Sequence, residues 1–199
     1  AATVEMGNSA YICSVNESCR AANEKVLQML PGEVVELPSA NTVKLDGEGL
    51  PGGFFNAEDY MAQINNGTVP PGLLKLKRGA VVLQMCHLTP ELPRYTKCVV
   101  LEASAKRGSL RLIRLSDLEK ADAEERAFWV PRTTTRFVHQ GLEIERTQFP
   151  VALAYSFTVH KSRGQTLRRV VVDVKNGDVF SHGMLYVAMT RVRGRQDIR

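Results

Sequence analysis

The polar segment HKSRGQT, residues 160–166, combines several groups that bind phosphate in proteins. It offers cationic side chains, hydroxyls and backbone N–H groups, which hold phosphate oxygens through charge-assisted hydrogen bonds. Gly164 lets the backbone turn tightly or approach a ligand closely. From its chemistry alone the segment fits equally well a strand-turn-strand with a charged tip.

A second segment, FSHGMLYVAMTRVRGR, places an arginine at the end of a predicted helix. Met184, Val187, Ala188 and Arg191 recur at helical spacing, and we expect this helix to point back toward residues 160–166. A guanidinium binds phosphate with a fixed, two-pronged geometry. The alternative for Arg191 is an ion pair on the surface of the helix.

The charge of the chain favours a polyanionic partner. Its 199 residues include 26 Lys and Arg against 21 Asp and Glu, a net charge of +5. Arginines crowd the end that carries both segments: Arg163, Arg168, Arg169, Arg191, Arg193, Arg195 and Arg199. No run of eighteen apolar residues and no signal-peptide pattern is present, so we expect an intracellular protein with no membrane partner.

The four cysteines do not predict a metal site. Cys13, Cys19, Cys86 and Cys98 include no C-x-x-C pair and form no regular framework. In a chain that looks intracellular, buried free thiols are the expected state.

The N-terminal elements are typical of a parallel sheet. Residues 10–13 form a short apolar strand, and Ser14-Val15-Asn16-Glu17 has the spelling of a capping box that starts a helix. Its predicted apolar face contains Cys19, Ala22, Val26, Met29 and Leu30. Pro31-Gly32 ends the helix, and a second strand at residues 34–37 completes a β-α-β unit.

The middle of the chain predicts antiparallel strands. Residues 41–53 are rich in turn formers, and a helix from Asn56 to about Ile64 should bury Tyr60, Met61 and Ile64. Residues 73–146 then alternate as short strands of a small antiparallel barrel or sandwich, with a turn at Gly79. The charged segment 116–126 fits either a helical turn or a solvated loop. Trp129 fits either a base-stacking position or a core or domain-packing position.

The last third of the chain contains the polar segment between two predicted strands. Residues 149–159 (FPVALAYSFTV) form an apolar run that predicts one buried strand, and VVVDV starts another at Val170. The polar segment therefore follows the end of a buried strand.

The motifs in this region identify a family resemblance. TVHKSRGQTL resembles motif V, and LYVAMTR resembles motif VI, of superfamily 1B helicases. The segment FSHGMLYVAMTRV is especially similar to the Pif family and its Helitron-transposon relatives. The similarity begins at about Tyr11 and is strongest in the last fifty residues. Two positions depart from the family pattern: Arg163 replaces a common glutamine, and residues 94–97 stand where relatives usually have Asn-Gly.

The resemblance implies an α/β fold and two domains. Residues 1–72 and 147–199 are expected to form the second RecA-like domain, a parallel sheet with helices on both faces. Residues 73–146 are expected to form a small antiparallel β-barrel inserted into that domain.

The resemblance also assigns roles to site residues. It implies that Arg191 is catalytic and reaches the γ-phosphate of ATP, beside cofactor contacts from Gly164, Gln165 and Thr166. The residues implied to contact single-stranded DNA are Thr158, His160, Lys161 and Ser162. Without the resemblance, His160 fits a structural role and Lys161 a solvated charge.

The implied function is that of the C-terminal part of an ATP-dependent 5′-to-3′ DNA helicase, in the nucleus if the host is a eukaryote. No G-x-x-x-x-G-K-[ST] phosphate loop occurs in the chain, so the main ATP site and the Mg²⁺ ligands are expected from a missing first RecA-like domain. The alternative is a nucleic-acid-binding or regulatory module with a degenerate helicase fold and no motor activity.

We predict that the purified 199-residue chain hydrolyses ATP no faster than background. A chain without a phosphate loop cannot hold the β- and γ-phosphates for transfer. Phosphate release should be measured with and without single-stranded DNA. Robust turnover that the DNA stimulates would contradict the assignment to half of a motor.

Overall fold

The computed structural model describes residues 2–44, 61, 64, 67, 69–90, 92–162, 164–172 and 183–199. The helix predicted from Asn56 lies outside the described residues, apart from Met61 and Ile64, which are both buried as expected. Arg163 lies outside them too, as does the chain from residue 173 to residue 182.

The chain forms an α/β fold. The α-helices among the described residues lie near the two ends of the sequence, and most of the strands lie between them. The α-helices whose bounds fall within the described residues are α1 (Ala2–Gly7), α2 (Asn16–Met29), α3 (Val159–Ser162) and α4 (Met184–Met189). In the same part of the chain, 3₁₀ helices cover Leu115–Asp117 and Arg195–Asp197. The strands are β1 (Ser9–Cys13), β2 (Val35–Pro38), β3 (Ala40–Lys44), β4 (Leu73–Leu76), β5 (Val81–Gln84), β6 (Lys97–Ser104), β7 (Ser109–Arg114), β8 (Phe128–Trp129), β9 (Thr133–His139), β10 (Leu142–Gln148), β11 (Val151–Leu153), β12 (Ser156–Thr158) and β13 (Arg169–Val172).

A parallel sheet joins the two ends of the chain. Its strand order is β12-β1-β13, so the central strand comes from the N-terminus and both neighbours come from the last third. Ile12, Phe157 and Val170 are buried in one core with Ala188 of α4. The predicted strand at residues 10–13 and the predicted helix before Arg191 are both confirmed.

Antiparallel sheets make up the middle of the chain. A five-stranded sheet has the order β11-β5-β6-β7-β8, a three-stranded sheet the order β3-β10-β9, and β2 pairs with β4. The short strands predicted within residues 73–146 are confirmed, and Gly79 occupies a turn with φ of +82°. The closure of these sheets into a barrel stays a prediction. The domain division also stays a prediction, and β2, β3 and β11 pair across the predicted boundaries.

The predicted β-α-β unit at the N-terminus is wrong. Strand β2 pairs antiparallel with β4 and does not join β1 in the parallel sheet. Burial explains the choice of partner, because Leu37 is buried while the flanking Glu36 is exposed and forms an ion pair with Lys75 at 3.0 Å. One buried and one solvated face are typical of antiparallel strands.

The start and the buried face of α2 also differ from the prediction. Val15 is the N-cap residue, with extended backbone and no side-chain capping hydrogen bond, so the capping box does not form. Cys19 and Leu27 are buried, whereas Met29 is 77% exposed. Met29 lies two residues beyond Leu27, about 200° further round a helix of 3.6 residues per turn.

The apolar run of residues 149–159 forms two strands and not one. Strand β11 belongs to the five-stranded antiparallel sheet and β12 to the parallel sheet. At the break between them, the side-chain oxygen of Asn23 accepts hydrogen bonds from the N–H groups of Tyr155 (3.0 Å) and Ser156 (2.9 Å). Its amide nitrogen donates to the Ser156 carbonyl at 2.7 Å. A single side chain therefore holds the point at which the chain changes sheets.

Two predicted alternatives in the antiparallel region are decided. The charged segment 116–126 begins in the short 3₁₀ helix and continues as turns, so it is mostly solvated chain. Trp129 is 56% exposed, which makes the core position wrong for this residue. A base-stacking role and a domain-packing role for Trp129 both stay predictions.

Arg146 of β10 is a buried cation whose hydrogen bonds connect residues outside the antiparallel sheet to that sheet. Its side chain is 1% exposed. The guanidinium donates to Asn41 Oδ1 and to the backbone carbonyls of Met61, Ile64 and Pro70, at 2.6 to 3.0 Å. Burial lowers the pKa of this guanidinium. These bonds hold Met61, Ile64 and Pro70 against β10 and its neighbour β3.

We expect Arg146→Met to destabilise the fold by at least about 3 kcal/mol, because three buried backbone carbonyls lose the guanidinium as donor. Urea unfolding followed by circular dichroism gives the free energy. The matched control is Arg136→Met on the adjacent strand β9, where the side chain is 81% exposed and pairs with Glu145. The control should change the stability by less than about 1 kcal/mol. Equal effects of the two substitutions would contradict the fastening role.

Candidate functional site

The predicted DNA-contact residues lie at the carboxyl end of the parallel sheet. Thr158 ends β12 beside Cys13 of β1, and α3 follows directly. His160 is exposed and Lys161 is half-buried, whereas Thr158 is 9% exposed. Ser162 is fully buried, and its Oγ donates to the Val159 carbonyl at 2.6 Å. The geometry therefore leaves His160 and Lys161 able to reach a ligand and does not support a DNA contact from the Ser162 hydroxyl.

Lys161 lines a cavity of about 520 Å³ between α2 and strands of both the parallel and the antiparallel sheets. The charged side chains around this cavity are Glu17, Arg20, Glu24, Lys75 and Lys161. Burial lowers the pKa of Lys161, the nearby Cys19 thiol opposes that change, and Arg94 adds to it. The walls thus carry cations beside acidic groups at the edge where β1 and β12 end.

The predicted nucleotide-contact residues form the second half of the same segment. Gly164 has φ of +75°, a left-handed conformation that suits glycine. Gln165 donates from its backbone N–H to the Ser162 carbonyl (3.1 Å) and from its side chain to the Lys161 carbonyl (3.0 Å). Thr166 is exposed, and Leu167 is buried. The segment is therefore an ordered turn that carries Thr166 to the surface.

A backbone hydrogen bond joins this turn to the arginine of the second motif. The Leu167 N–H donates to the Arg191 carbonyl at 2.8 Å. The next residue, Arg168, donates its N–H to the Asn8 carbonyl at 2.7 Å, just before β1 begins. The structure thus brings the two sequence motifs together at the amino end of the parallel sheet.

The Arg191 side chain folds back on the end of α4. Its Nε donates to the Val187 carbonyl at 2.9 Å, and its Nη2 donates to Thr190 Oγ1 at 3.1 Å. Within the described part of the chain no ion pair to Arg191 is found, so the surface ion pair considered from the sequence is not formed there. A guanidinium has five N–H donors, and these bonds use two of them.

The site extends along β1 from one end of the strand to the other. Thr158 is level with Cys13 at the carboxyl end, while Leu167 and Arg168 adjoin Asn8 at the amino end. Five strand residues at about 3.3 Å each separate the two ends by about 15 Å. Thr158 and the Arg191 carbonyl, which bonds to Leu167, are therefore at opposite ends of the sheet, and the turn with Gln165 connects them.

Sequence patterns did not reveal Asn23 or the contact between Cys13 and Cys19. Asn23 stands one helical turn from both Cys19 and Leu27, so a polar residue on the buried face of α2 was an available signal. No comparable signal relates Cys13 to Cys19. Among the described residues no group of three metal-ligating side chains occurs, and none of the helices there could cross a membrane.

The fold is that of a helicase domain. No family model matches the chain. The chain aligns over 96% of its length with a crystal structure of Pif1 helicase from Candida albicans, with a TM-score of 0.68, 24% identity and 44% of that chain covered. A Bacteroides Pif1 bound to single-stranded DNA aligns with a TM-score of 0.62 at 20% identity, covering 96% of this chain and 39% of that one. These structures establish the α/β helicase-domain fold.

Sequence comparison finds that the chain is similar to Pif1 helicases. Human ATP-dependent DNA helicase PIF1 is 28% identical over 194 residues, which is 94% of this chain and 26% of the human protein. The Candida albicans protein of the same name is 46% identical over 56 residues, 28% of this chain and 6% of that protein. The resemblance to Pif-type superfamily 1B helicases is therefore confirmed. The chain spans about a quarter of the length of the human relative.

We predict that Lys161→Ala weakens binding to single-stranded DNA about equally for all sequences, because a phosphate contact carries charge and no base code. The slope of log affinity against log salt should become shallower by about 0.7, the value for one lost contact to a single strand. Fluorescence anisotropy of labelled oligonucleotides at several salt concentrations measures both quantities.

The matched control for this titration is Lys106→Ala, in the exposed turn between β6 and β7. It should leave the affinity and the slope unchanged. A strong preference of the original chain for particular DNA sequences would contradict a contact between Lys161 and the DNA backbone. Equal losses of affinity in the two variants would contradict it too.

Proposed function

We propose that this chain is the C-terminal part of an ATP-dependent 5′-to-3′ DNA helicase. In this proposal it binds single-stranded DNA at the carboxyl end of its parallel sheet. It supplies an arginine finger, Arg191, to an ATP site shared with a first RecA-like domain that the chain does not contain. The proposal rests mainly on the hydrogen bond from Leu167 to Arg191, which joins the motif V-like turn to the motif VI-like arginine.

The nucleotide end of the site is proposed to be formed by Gly164, Gln165, Thr166 and Arg191. Gly164 and Thr166 are exposed, and the guanidinium keeps donors in addition to those bonded to α4. Charge that builds on the transferred phosphoryl group is stabilised by such an arginine. The relatives are named ATP-dependent, and one neighbour was solved with ADP-AlF₃ and single-stranded DNA, which supports nucleotide use.

Magnesium enters the proposal through the first domain. In phosphoryl transfer a bound Mg²⁺ would neutralise negative charge on the phosphates. The described residues contain no cluster of acidic or imidazole ligands, so we assign the Mg²⁺ ligands to the first RecA-like domain. In a eukaryotic cell we propose that the intact protein acts on DNA in the nucleus.

The DNA end of the site is proposed to consist of Thr158, His160 and Lys161. His160 is exposed, and Lys161 lines the cavity beside the start of α2. Thr158 and Ser162 are buried, so they would contribute mainly through the backbone that they hold in place. A bound DNA strand would contact these residues through phosphates, as in other backbone-directed recognition.

The decisive experiment uses a protein that contains both RecA-like domains. Arg191→Ala should lower DNA-stimulated ATP hydrolysis on the order of a thousandfold or more, with a smaller loss of ATP affinity. Arg191→Lys should recover little of this activity, because a point charge cannot reproduce the two-pronged geometry of a guanidinium. DNA affinity should stay nearly unchanged in both variants.

The control for this experiment is Arg193→Ala, an exposed arginine two residues further along. It should keep near-normal turnover. A motor-free binding module predicts no DNA-stimulated hydrolysis in any variant, including the original protein. Normal turnover of the Arg191→Ala protein, or loss only through unfolding, would return Arg191 to a structural role.

A further inference from the structure

Two cysteines and a serine form a cluster beside the proposed DNA end of the site. Cys13 ends β1, Cys19 lies in the first turns of α2, and Ser156 begins β12. The Cys13 Sγ lies 3.4 Å from Ser156 Oγ, and the side chains of Cys13 and Cys19 are in hydrogen-bond contact. Neither cysteine is in a disulfide bond. Two thiols that are six residues apart in sequence therefore meet across the turn from strand to helix.

Only one thiol of this pair faces open space. Cys19 lines the 520 Å³ cavity, in the same wall as Lys161, although its residue is 6% exposed overall. Cys13 is 1% exposed and lies behind it. A molecule of about the size of water can enter the cavity and meet Cys19 first.

The surroundings of Cys19 favour its thiolate. The hydrogen bond from the Cys13 side chain contributes most to lowering the pKa of Cys19 to about 7, and Ser156 and Lys161 add to this effect against the cost of burial. The thiolate is the nucleophilic form of cysteine, and reactive cysteines occupy such electropositive places.

We propose that Cys13 and Cys19 are a redox-active thiol pair, in which Cys19 reacts first with a small peroxide that enters the cavity and Cys13 then closes a disulfide. The Cys19 sulfur attacks one peroxide oxygen, so that an S–O bond forms and the O–O bond breaks. The sulfur is oxidised by two electrons, and the departing hydroxide leaves as water with one proton. The Cys13 sulfur then attacks the Cys19 sulfur, the S–O bond breaks, and the second hydroxide leaves as water with the Cys13 proton.

The other two cysteines provide internal controls. Cys86 is half-buried and more exposed than Cys19, and burial raises the pKa of its thiol. Cys98 is fully buried in β6, and burial raises its pKa to about 12. If exposure alone governed oxidation, Cys86 would react before Cys19. Our proposal predicts the opposite order, in which Cys19 reacts before Cys86.

The test treats the reduced 199-residue chain with a small excess of hydrogen peroxide at neutral pH and follows each cysteine by peptide mass spectrometry. We expect the Cys13–Cys19 disulfide to form at least about tenfold faster than Cys86 is oxidised, because a much larger fraction of Cys19 is thiolate. Cys98 should react last. In urea the preference should disappear, since it depends on the folded cluster.

Variants separate the two steps. In Cys13→Ser the sulfenic acid should persist on Cys19, where a dimedone probe traps it, and no disulfide should form. In Cys19→Ser, Cys13 should react no faster than Cys98. Oxidation of Cys86 before Cys19 in the original chain would overturn the proposal, and so would a preference that survives in urea. The order in the original chain decides the question even if a variant fails to fold.

Discussion

The site depends on the three hydrogen bonds that Asn23 makes to the backbone at Tyr155 and Ser156. At this point the chain leaves the antiparallel sheet and enters the parallel one, and the Tyr155 carbonyl accepts a hydrogen bond from the Tyr11 N–H of β1 at 2.9 Å, while the three groups that bond to Asn23 have it as their partner. Unpaired backbone groups are costly in an interior, so one amide that satisfies three of them makes the break stable. The Tyr155 hydroxyl accepts from the Val81 N–H at 2.8 Å and ties the same break to β5. Strand β12 can therefore pair with β1, which places His160 and Lys161 at the carboxyl end of the sheet.

Local patterns in the sequence predicted the positions of helices and strands better than they predicted which strands pair with each other. The helix before Arg191, strand β1 and the turn at Gly79 follow from spacing and residue type within a few positions, and the structure agrees. The partner of β2 and the split between β11 and β12 depend on residues far away in sequence, which a local pattern does not contain. The capping box shows the same limit of local patterns. Its spelling is present in the sequence, but the helix begins at Asn16 and no side-chain capping hydrogen bond forms. The motif residues were found from the sequence, but the inward turn of Ser162 required the structure.

The two ends of the proposed site belong to one continuous stretch of hydrogen-bonded chain. The Gln165 side chain holds the Lys161 carbonyl, its N–H holds the Ser162 carbonyl, and Leu167 then reaches Arg191. If DNA binding moved α3, the turn that carries Thr166 and bonds to Arg191 would therefore move as well. Coupling of this kind requires an element with two arrangements, and a contiguous path supplies only the connection. Gly164 and Thr166 are the exposed residues of the turn on this path, whereas Val159 and Ser162 of α3 are buried.

The folded-back side chain of Arg191 does not oppose its proposed role at phosphate. Its two bonds end on a carbonyl and a hydroxyl near the surface, and both acceptors are neutral. A phosphate is an anion that accepts two parallel hydrogen bonds from one guanidinium, so it adds a charge attraction that these neutral acceptors do not offer. Replacing the two bonds to Val187 and Thr190 by two bonds to a nucleotide phosphate is therefore favourable when the phosphate lies within reach. Because the Leu167 bond uses the backbone carbonyl of Arg191, the side chain can turn toward a phosphate while the helix end stays fixed to the turn. This separation of anchor from donor lets one residue hold the two motifs together and still contact a ligand.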